Sequence, residues 1–207
     1  MTRLNRRSLL RSVGAAGLWA LGVSSLPTAL LGGARRAEAL GGTLPGLNQP
    51  APPFQLDGVA PAKGLLGSSK PVQLSLADFA GQWLVLYFYP RDFTSGCTLE
   101  ARGFQRDLDQ FQRLNTALVG VSADRPDKHE SFCESEGLAF PLLSDPDGQV
   151  SKLYGSWIPP FSQRHTFLID PEGQLRQLWV GVRPGGHSQE VLEAVKALQA
   201  TATTATV

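Results

Sequence analysis

The chain has 207 residues, of which 42% are hydrophobic and 18% charged, and its formal net charge is +1. This composition is typical of a globular domain with its own core, and it lacks the basic excess on which nucleic-acid binding depends. Residues 1–39 contain six of the 19 basic residues and one of the 18 acidic residues, so residues 40–207 have a net charge of −4. That mildly acidic remainder argues against a nucleic-acid partner.

Residues 1–39 have the pattern of an export signal. The basic start MTRLNRRSLLR precedes an uncharged stretch, Ser12–Ala34, which is rich in Gly, Ala and Leu. The small-residue sequence Ala37-Glu38-Ala39 then offers a cleavage site. We therefore expect the first 39 residues to be removed during export.

The type of signal is indicated by the pair Arg6-Arg7, which resembles a twin-arginine motif. An uncleaved membrane anchor is the alternative, because 23 uncharged residues are just long enough to span a bilayer. Several glycines and Pro27 make that stretch a poor permanent helix. We expect cleavage before Leu40, location in the periplasm or the thylakoid lumen, and no stable membrane association once the chain is processed.

Strands and helices alternate along the remaining chain. The apolar run WLVLYFY (83–89) is typical of a strand buried on both faces. Pro126 and Gly137 mark the start and end of a helix. The predicted elements, in chain order, are an extended lead-in (40–53), a short strand (54–56), a loop (57–70), strands (72–76 and 83–89), a helix (98–114), a strand (116–122), a helix (126–136), a short strand within 139–150, a helical turn (150–154), a loop (155–163), a hairpin (166–170 and 175–180) and a helix around 191–198.

The order of these elements predicts one α/β domain, residues 40–200, with a mixed sheet and helices on both faces. The order β-α-β-α-β-β-α is that of thioredoxin, here with an N-terminal extension. Residues 201–207, TATTATV, lack a periodic pattern and are predicted to be a disordered tail.

Cys97 lies where the apolar strand gives way to the first long helix. Unpaired amides and the helix dipole stabilise negative charge at such a helix start, so they favour a nucleophilic thiolate. Thr94 can offer its hydroxyl to the thiolate or act as the N-cap, and Pro90 closes the strand and limits water on one side. A structural thiol is the alternative interpretation of Cys97.

Pro90, Thr94 and Cys97 at this spacing resemble the active-site signature of peroxiredoxins. The segment YFYPRDFTSGCTLEARGFQRD (87–107) is similar to the Q-type subfamily, also called bacterioferritin comigratory protein, and the similarity runs from about residue 44 to 198. The resemblance implies a thioredoxin-like fold with a central mixed β-sheet flanked by helices. It also implies a thiol-dependent peroxidase, active in antioxidant defence, that needs no cofactor.

The resemblance also implies a role for each site residue. Cys97 would be the peroxidatic cysteine, whose thiolate attacks a peroxide oxygen to form a sulfenic acid. Thr94 would hydrogen-bond the peroxide and the thiolate, Pro90 would shield the site, and Arg164 would stabilise the thiolate and polarise the peroxide. A surface salt bridge is the alternative for Arg164. His165 stands where relatives usually have a small residue, and no role is assigned to it.

The second cysteine has a different place from that in many Q-type relatives, which carry it five residues after the first, where this chain has Arg102. Cys133 follows Cys97 by 36 residues, in the predicted helix 126–136, and a second group of Q-type proteins resembles this arrangement. The resemblance implies a monomer that forms an intramolecular Cys97–Cys133 disulfide. Because a disulfide needs Cα atoms within about 7 Å, we expect local unwinding on oxidation. The alternative is a buried, structural Cys133.

The implied substrates are hydrogen peroxide and organic hydroperoxides, and the implied reductant is thioredoxin or a similar dithiol donor. A thioredoxin-like disulfide oxidoreductase is one alternative, but it needs Cys-x-x-Cys and Thr94 occupies the first of those positions. A non-enzymatic exported domain with a static disulfide is another. His129, His165 and His187 do not have the spacing of metal ligands, so no metal is expected.

Overall fold

The computed structural model describes residues 38–39, 41–62 and 69–204. The predicted export signal, apart from its last two residues, lies outside the described residues, as do the last three residues of the predicted tail. The described residues fall within one compact unit, Arg35–Val207. Among them, no helix is both long and apolar enough to cross a membrane.

The described residues form eleven β-strands, four α-helices and one 3-10 helix. The strands are β1 (Glu38–Ala39), β2 (Gly42–Thr43), β3 (Gln55–Pro61), β4 (Ser69–Ser75), β5 (Trp83–Phe88), β6 (Thr116–Ser122), β7 (Leu142–Ser144), β8 (Trp157–Ile158), β9 (Phe161–Ser162), β10 (His165–Ile169) and β11 (Leu175–Val180). The helices are α1 (Ser95–Arg113), α2 (Pro126–Glu136), α3 (Gln149–Leu153), α4 (His187–Thr204) and the 3-10 helix Leu76–Phe79.

Seven strands form the central mixed sheet, in the order β11-β10-β5-β6-β7-β3-β4. Strands β5, β6 and β7 are parallel, and the others pair antiparallel with their neighbours. All six residues of β5 are buried, as the apolar run predicts. The carboxyl end of β5 leads directly into the loop before Cys97, so the sheet fixes one side of the site.

Strand side chains alternate between two apolar clusters, one on each face of the sheet. Helices α1, α2 and α4 cover the first face through residues such as Phe104, Phe132 and Val191. Helix α3 and the 3-10 helix cover the second face, together with Leu44 from the lead-in. The predicted α/β architecture is confirmed, with the longer helices concentrated on the face that holds both cysteines.

The predicted loop at residues 57–70 is wrong over much of its length. Strands β3 and β4 form an antiparallel hairpin at the edge of the sheet, from Gln55↔Ser75 to Pro61↔Ser69. Their side chains are mostly exposed or half-buried, so a backbone ladder rather than an apolar pattern holds them. Gly58 suits this close packing, since a Cβ there would lie 2.2 Å from the carbonyl oxygen of Leu142.

Three further boundaries differ from the prediction. Helix α1 begins at Ser95 rather than at residue 98, because its first turn carries polar and small residues outside the apolar repeat. The predicted loop 155–163 contains the small hairpin β8–β9. Helix α4 continues to Thr204, so residues 201–204 are helical rather than disordered. Alternating alanines favour that continuation, and Thr201 Oγ1 donates a hydrogen bond to the Leu198 carbonyl at 2.8 Å.

Candidate active site

Cys97 is the third residue of α1 and its side chain is buried. The first main-chain bond of the helix runs from the Thr98 amide to the Thr94 carbonyl, at 2.9 Å. The Cys97 amide precedes that bond and belongs to the group of N–H donors that a helix start leaves without an intrahelical acceptor. The sulfur is thus held at the positive end of the helix dipole, as the sequence predicts.

Arg164 lies directly before β10 and reaches the sulfur of Cys97. Strand β10 pairs antiparallel with β5, with His165 opposite Phe88, so the start of β10 lies beside the carboxyl end of β5. The Arg164 Nη2 atom donates to Cys97 Sγ at 3.2 Å. Gly96 permits this approach, because a Cβ there would already lie 3.2 Å from Nη2.

The other branch of the Arg164 guanidinium donates to the carboxylate of Glu100. Burial disfavours the charge of Arg164, but Glu100 and Cys97 outweigh burial and raise the pKa of this arginine. The guanidinium therefore remains charged beside the sulfur. The alternative of a plain surface salt bridge does not describe Arg164, since the partner carboxylate is buried and Cys97 shares the guanidinium.

Glu100 is a site residue that the sequence analysis missed. Its side chain is buried, and its Oε1 atom has no hydrogen-bond partner. Burial raises the pKa of Glu100 to about 7 although Arg164 acts in the opposite direction. The sequence did contain a signal that places Glu100 near the site, because Glu100 follows Cys97 by three residues and therefore lies on the same face of the helix.

Thr94 and Pro90 lie in the segment that leads into α1, and neither makes a hydrogen bond to the sulfur of Cys97. Thr94 occupies the N-cap position by its backbone, yet its hydroxyl makes no capping bond. Instead, Thr94 Oγ1 donates to the Arg91 carbonyl at 3.0 Å, so the interpretation of an N-cap hydroxyl is wrong. Pro90 is half-buried at the end of β5.

Cys133 is on α2, in the same apolar cluster as Cys97, and both are free thiols. Burial, followed by the charges of Asp92, Glu134 and Glu130, raises the pKa of Cys133 to about 12. The folded form therefore keeps Cys133 as a protonated, poorly nucleophilic thiol. Arg102 occupies the position at which many Q-type relatives carry their second cysteine. Its Nε atom pairs with the carboxylate of Glu136 on α2 at 2.5 Å.

A buried polar group that joins the loop before Cys97 to the helix of Cys133 was also missed. His129 Nδ1 lies 2.8 Å from Asp92 Oδ2, and neither side chain is exposed. Tyr89 donates its hydroxyl to Asp92 Oδ1 at 2.7 Å. The position of His129, one helical turn before Cys133, could have indicated this polar group. However, the sequence pattern of an isolated histidine in a charged helix is typical of a surface residue.

His165 is buried on β10, and neither of its ring nitrogens has a hydrogen-bond partner. Burial lowers the pKa of His165, so the ring is neutral and packs as an aromatic side chain. No contact assigns it a part in the chemistry.

The AhpC/TSA family model matches residues 47–178. Peroxiredoxin Bcp of Xanthomonas campestris is 40% identical over 141 residues, covering 64% of this chain and 88% of that protein. Peroxiredoxin Bcp of Escherichia coli is 34% identical over 152 residues, covering 70% of this chain and 97% of that protein. These matches span nearly the whole length of each relative.

Solved structures agree with the sequence matches. Xanthomonas campestris peroxiredoxin Q superposes with a TM-score of 0.62 at 36% identity, covering 70% of this chain and 90% of that chain. Two more structures of that protein carry cysteine-to-serine substitutions 36 positions apart, the same separation as Cys97 and Cys133. A further Xanthomonas campestris structure concerns the alkyl peroxide reduction activity of the bacterioferritin comigratory protein. It superposes with a TM-score of 0.60 at 35% identity and covers 70% of this chain and 90% of that chain. This chain belongs to the AhpC/TSA family, in which it is a peroxiredoxin of the Q type with a thioredoxin-like fold.

Proposed function

We propose that this peroxidase reduces hydrogen peroxide and organic hydroperoxides through Cys97, with Cys133 as its resolving cysteine. One observation carries the proposal: the sulfur of Cys97 lies at a helix start and 3.2 Å from a charged Arg164 guanidinium. Both features stabilise a thiolate and, in the transition state, the negative charge that develops on the peroxide oxygens.

In the first step, the Cys97 thiolate attacks one peroxide oxygen and the O–O bond breaks. The sulfur is oxidised to a sulfenic acid, and the other oxygen leaves with a proton as water or an alcohol. Arg164 holds the peroxide and the sulfur together, and the Thr94 hydroxyl turns from Arg91 to the bound peroxide. Pro90 limits access of water from the side of β5.

In the second step, the sulfur of Cys133 attacks the sulfenic sulfur of Cys97 and the S–O bond breaks. The hydroxyl leaves with the Cys133 proton as water, and an intramolecular disulfide remains. Because Cys133 is buried on a different helix from Cys97, we expect α2 to open locally in this step. A dithiol donor of the thioredoxin type then reduces the disulfide, and one chain is sufficient for the cycle.

Organic hydroperoxides are included for two reasons. The similar Xanthomonas campestris protein has alkyl peroxide reduction activity. In this chain, Phe93 and Leu99 lie close to Cys97 in sequence and are about half exposed, at 49% and 53%. They offer apolar surface to an alkyl group. A disulfide oxidoreductase is disfavoured because Thr94 replaces the first cysteine that such an enzyme requires.

We also propose export of the mature chain, residues 40–207, to the periplasm or the thylakoid lumen, where a dithiol donor outside the cytosol serves it. The twin-arginine pattern of residues 1–39 supports this. Mass spectrometry of the mature N-terminus tests it: a chain starting at Leu40 supports export, and an intact Met1 in the membrane fraction contradicts it.

Peroxide turnover with a dithiol donor tests the main proposal. Cys97→Ser abolishes peroxide consumption, whereas Cys133→Ser keeps the first oxidation but stops turnover with thioredoxin. Unchanged turnover in Cys133→Ser would contradict the resolving role, and equal iodoacetamide labelling of Cys97 before and after peroxide would contradict the peroxidatic role.

A further inference from the structure

The loop before Cys97 and the helix that carries Cys133 are joined by a buried polar pair. Asp92 belongs to the loop between β5 and α1, and His129 belongs to α2. Their 2.8 Å contact is shielded from solvent on both sides. The second ring nitrogen of His129 faces the carbonyl oxygen of Leu143 at 3.2 Å. Because that oxygen can only accept, Nε2 donates a hydrogen bond to it, while Nδ1 and Asp92 Oδ2 share a second hydrogen bond.

Asp92 is anchored from several directions. Its amide donates to Asp124 Oδ2 at 2.7 Å, and Tyr89 donates to its second carboxylate oxygen. The next residue, Phe93, has a φ of 61°, a left-handed conformation that a bulky residue adopts only when its surroundings hold it. The Phe93 ring packs edge-on against Phe132, with centroids 5.1 Å apart. The loop between β5 and α1 therefore packs against the segment of α2 next to Cys133.

His129 and Cys133 are one helical turn apart and lie on the same face of α2. The His129–Asp92 contact is therefore one turn away from Cys133, and an opening of α2 that includes this turn breaks the contact. The Arg102–Glu136 ion pair also joins α1 to α2, but Arg102 is 66% exposed, and exposed ion pairs contribute little. Separation of a buried pair is far more costly, because it leaves polar groups without partners.

We propose that the Asp92–His129 pair is the positioning device that holds α2 closed over the reduced site and sets the rate at which Cys133 resolves the Cys97 sulfenic acid. The inference rests on the proposed resolving role of Cys133. A slow opening leaves the sulfenic acid exposed to a second peroxide, which oxidises the sulfur to sulfinic acid and is itself reduced to water or an alcohol. The pair thus sets the share of enzyme that is over-oxidised.

The test compares Asp92→Asn and His129→Gln with wild type in single-turnover reactions with excess peroxide. Stopped-flow measurement separates Cys97 oxidation from disulfide formation, and mass spectrometry of quenched samples gives the sulfinic fraction. We expect disulfide formation to accelerate at least about tenfold and the sulfinic fraction to fall, with Cys97 oxidation changed by less than about threefold. Disulfide formation at the wild-type rate or slower would overturn the proposal.

Two controls separate this device from a general loss of stability. Asp107→Asn removes another buried carboxylate, which is bound to Arg106 of α1 and Ser188 of α4, and should leave disulfide formation unchanged. Equal acceleration by Asp107→Asn would overturn the proposal. In a Cys133→Ser background the pair variants should not alter the sulfinic yield, since no resolving step competes, and an altered yield would contradict the proposal.

A measurement on the wild-type chain does not depend on the folding of any variant. The proton between His129 and Asp92 should give a distinct NMR signal in the reduced protein and lose it in the disulfide form. Persistence of that signal in the disulfide form would overturn the inference. By contrast, peroxide treatment that yields no Cys97–Cys133 disulfide at all would contradict the proposed function itself.

Discussion

Arg164 binds two groups at once, the sulfur of Cys97 and the carboxylate of Glu100. An ionised Glu100 orients the guanidinium but also competes for its charge, whereas a protonated Glu100 leaves more of that charge for the sulfur. At the scale of single residues, we therefore expect the reactivity of Cys97 to depend on a carboxylate that acts through Arg164.

Replacement of Arg164 tests whether its guanidinium increases the reactivity of Cys97. Arg164→Gln should lower the second-order rate of Cys97 oxidation by about 10²- to 10³-fold, the usual effect of removing a donor to developing negative charge. Stopped-flow fluorescence with hydrogen peroxide measures that rate. Arg176→Gln, which removes a partly exposed arginine bound to Asp170, is the matched control and should leave the rate unchanged. A rate within threefold of wild type for Arg164→Gln would contradict the assigned role.

Glu100 should make the protein less stable as the pH rises. Burial raises its pKa to about 7 from an ordinary value of 4.5, so the folded protein keeps a proton that the unfolded chain releases between these values. Stability from this group is therefore lost as the pH increases through that window, by at most about 1.4 kcal/mol per pH unit.

Urea unfolding of wild type and Glu100→Gln over a pH series isolates this contribution. Other titrating groups are common to both proteins and cancel in the difference. The free energy of unfolding of wild type should decline relative to the variant from about pH 4 to pH 8. A difference that is constant, or that increases with pH, would refute the raised pKa.

At the scale of elements, helix α2 has the bounds that the sequence predicts. Pro126 begins it, and Gly137 ends it with a φ of 62°, in the left-handed conformation that favours glycine. The Gly137 amide donates to the carbonyl of Cys133, so the helix end is bound directly to the proposed resolving residue. These local start and stop signals were sufficient to predict the bounds of α2 because they coincide with the tertiary packing of the helix.

Gly137→Ala should lower the free energy of unfolding by about 1–2 kcal/mol, since an L-residue is strained in that conformation. A Cβ at position 137 would meet no atom within 4 Å, so a steric clash does not contribute. Gly185→Ala is the matched control, because its Cβ also meets nothing within 4 Å and its φ is not left-handed. Equal stabilities of the two variants in urea unfolding would refute the strain.

The elements that were missed share a physical cause. The hairpin of β3 and β4 and the small hairpin of β8 and β9 are held by backbone hydrogen bonds and contain Gly, Pro and Ser, which a pattern of apolar spacing assigns to loops. The long elements were found because apolar periodicity reports burial. Edge strands bury little, so their periodicity is weak.

At the scale of the whole molecule, the lead-in is part of the fold rather than a tether. Leu44 and Ala51 of the lead-in, and Phe54 directly after it, are each 5% exposed and pack into the cluster on the second face of the sheet. The Trp157 amide donates to the Gly41 carbonyl at 3.1 Å, so the second residue of the proposed mature chain is already bound to the fold.

Truncation tests this dependence. A chain of residues 40–207 should unfold with the same free energy as the full chain. A chain that starts at Gln55 should be less stable by at least about 3 kcal/mol, because two large apolar side chains and one alanine leave the core. Urea unfolding of the two truncated chains gives the difference, and equal stability of both would show that the lead-in is dispensable.

The site was predictable where it depends on one short segment and not where it depends on packing. Pro90, Thr94 and Cys97 are close in sequence, and the resemblance added Arg164, which pairing of β5 with β10 brings to the sulfur. Glu100, Asp92 and His129 were missed, since charged residues in helices and loops are usually exposed and only the tertiary structure shows them buried.

In the proposed cycle, Cys97 reacts first and Cys133 second within one chain. Rapid-quench samples of the reduced protein with one equivalent of hydrogen peroxide, trapped with dimedone and mapped by mass spectrometry, test it most directly. We expect the earliest dimedone adduct on Cys97, followed by an intramolecular Cys97–Cys133 disulfide that replaces it. An earliest adduct on Cys133, or a disulfide that joins two chains, would contradict the account.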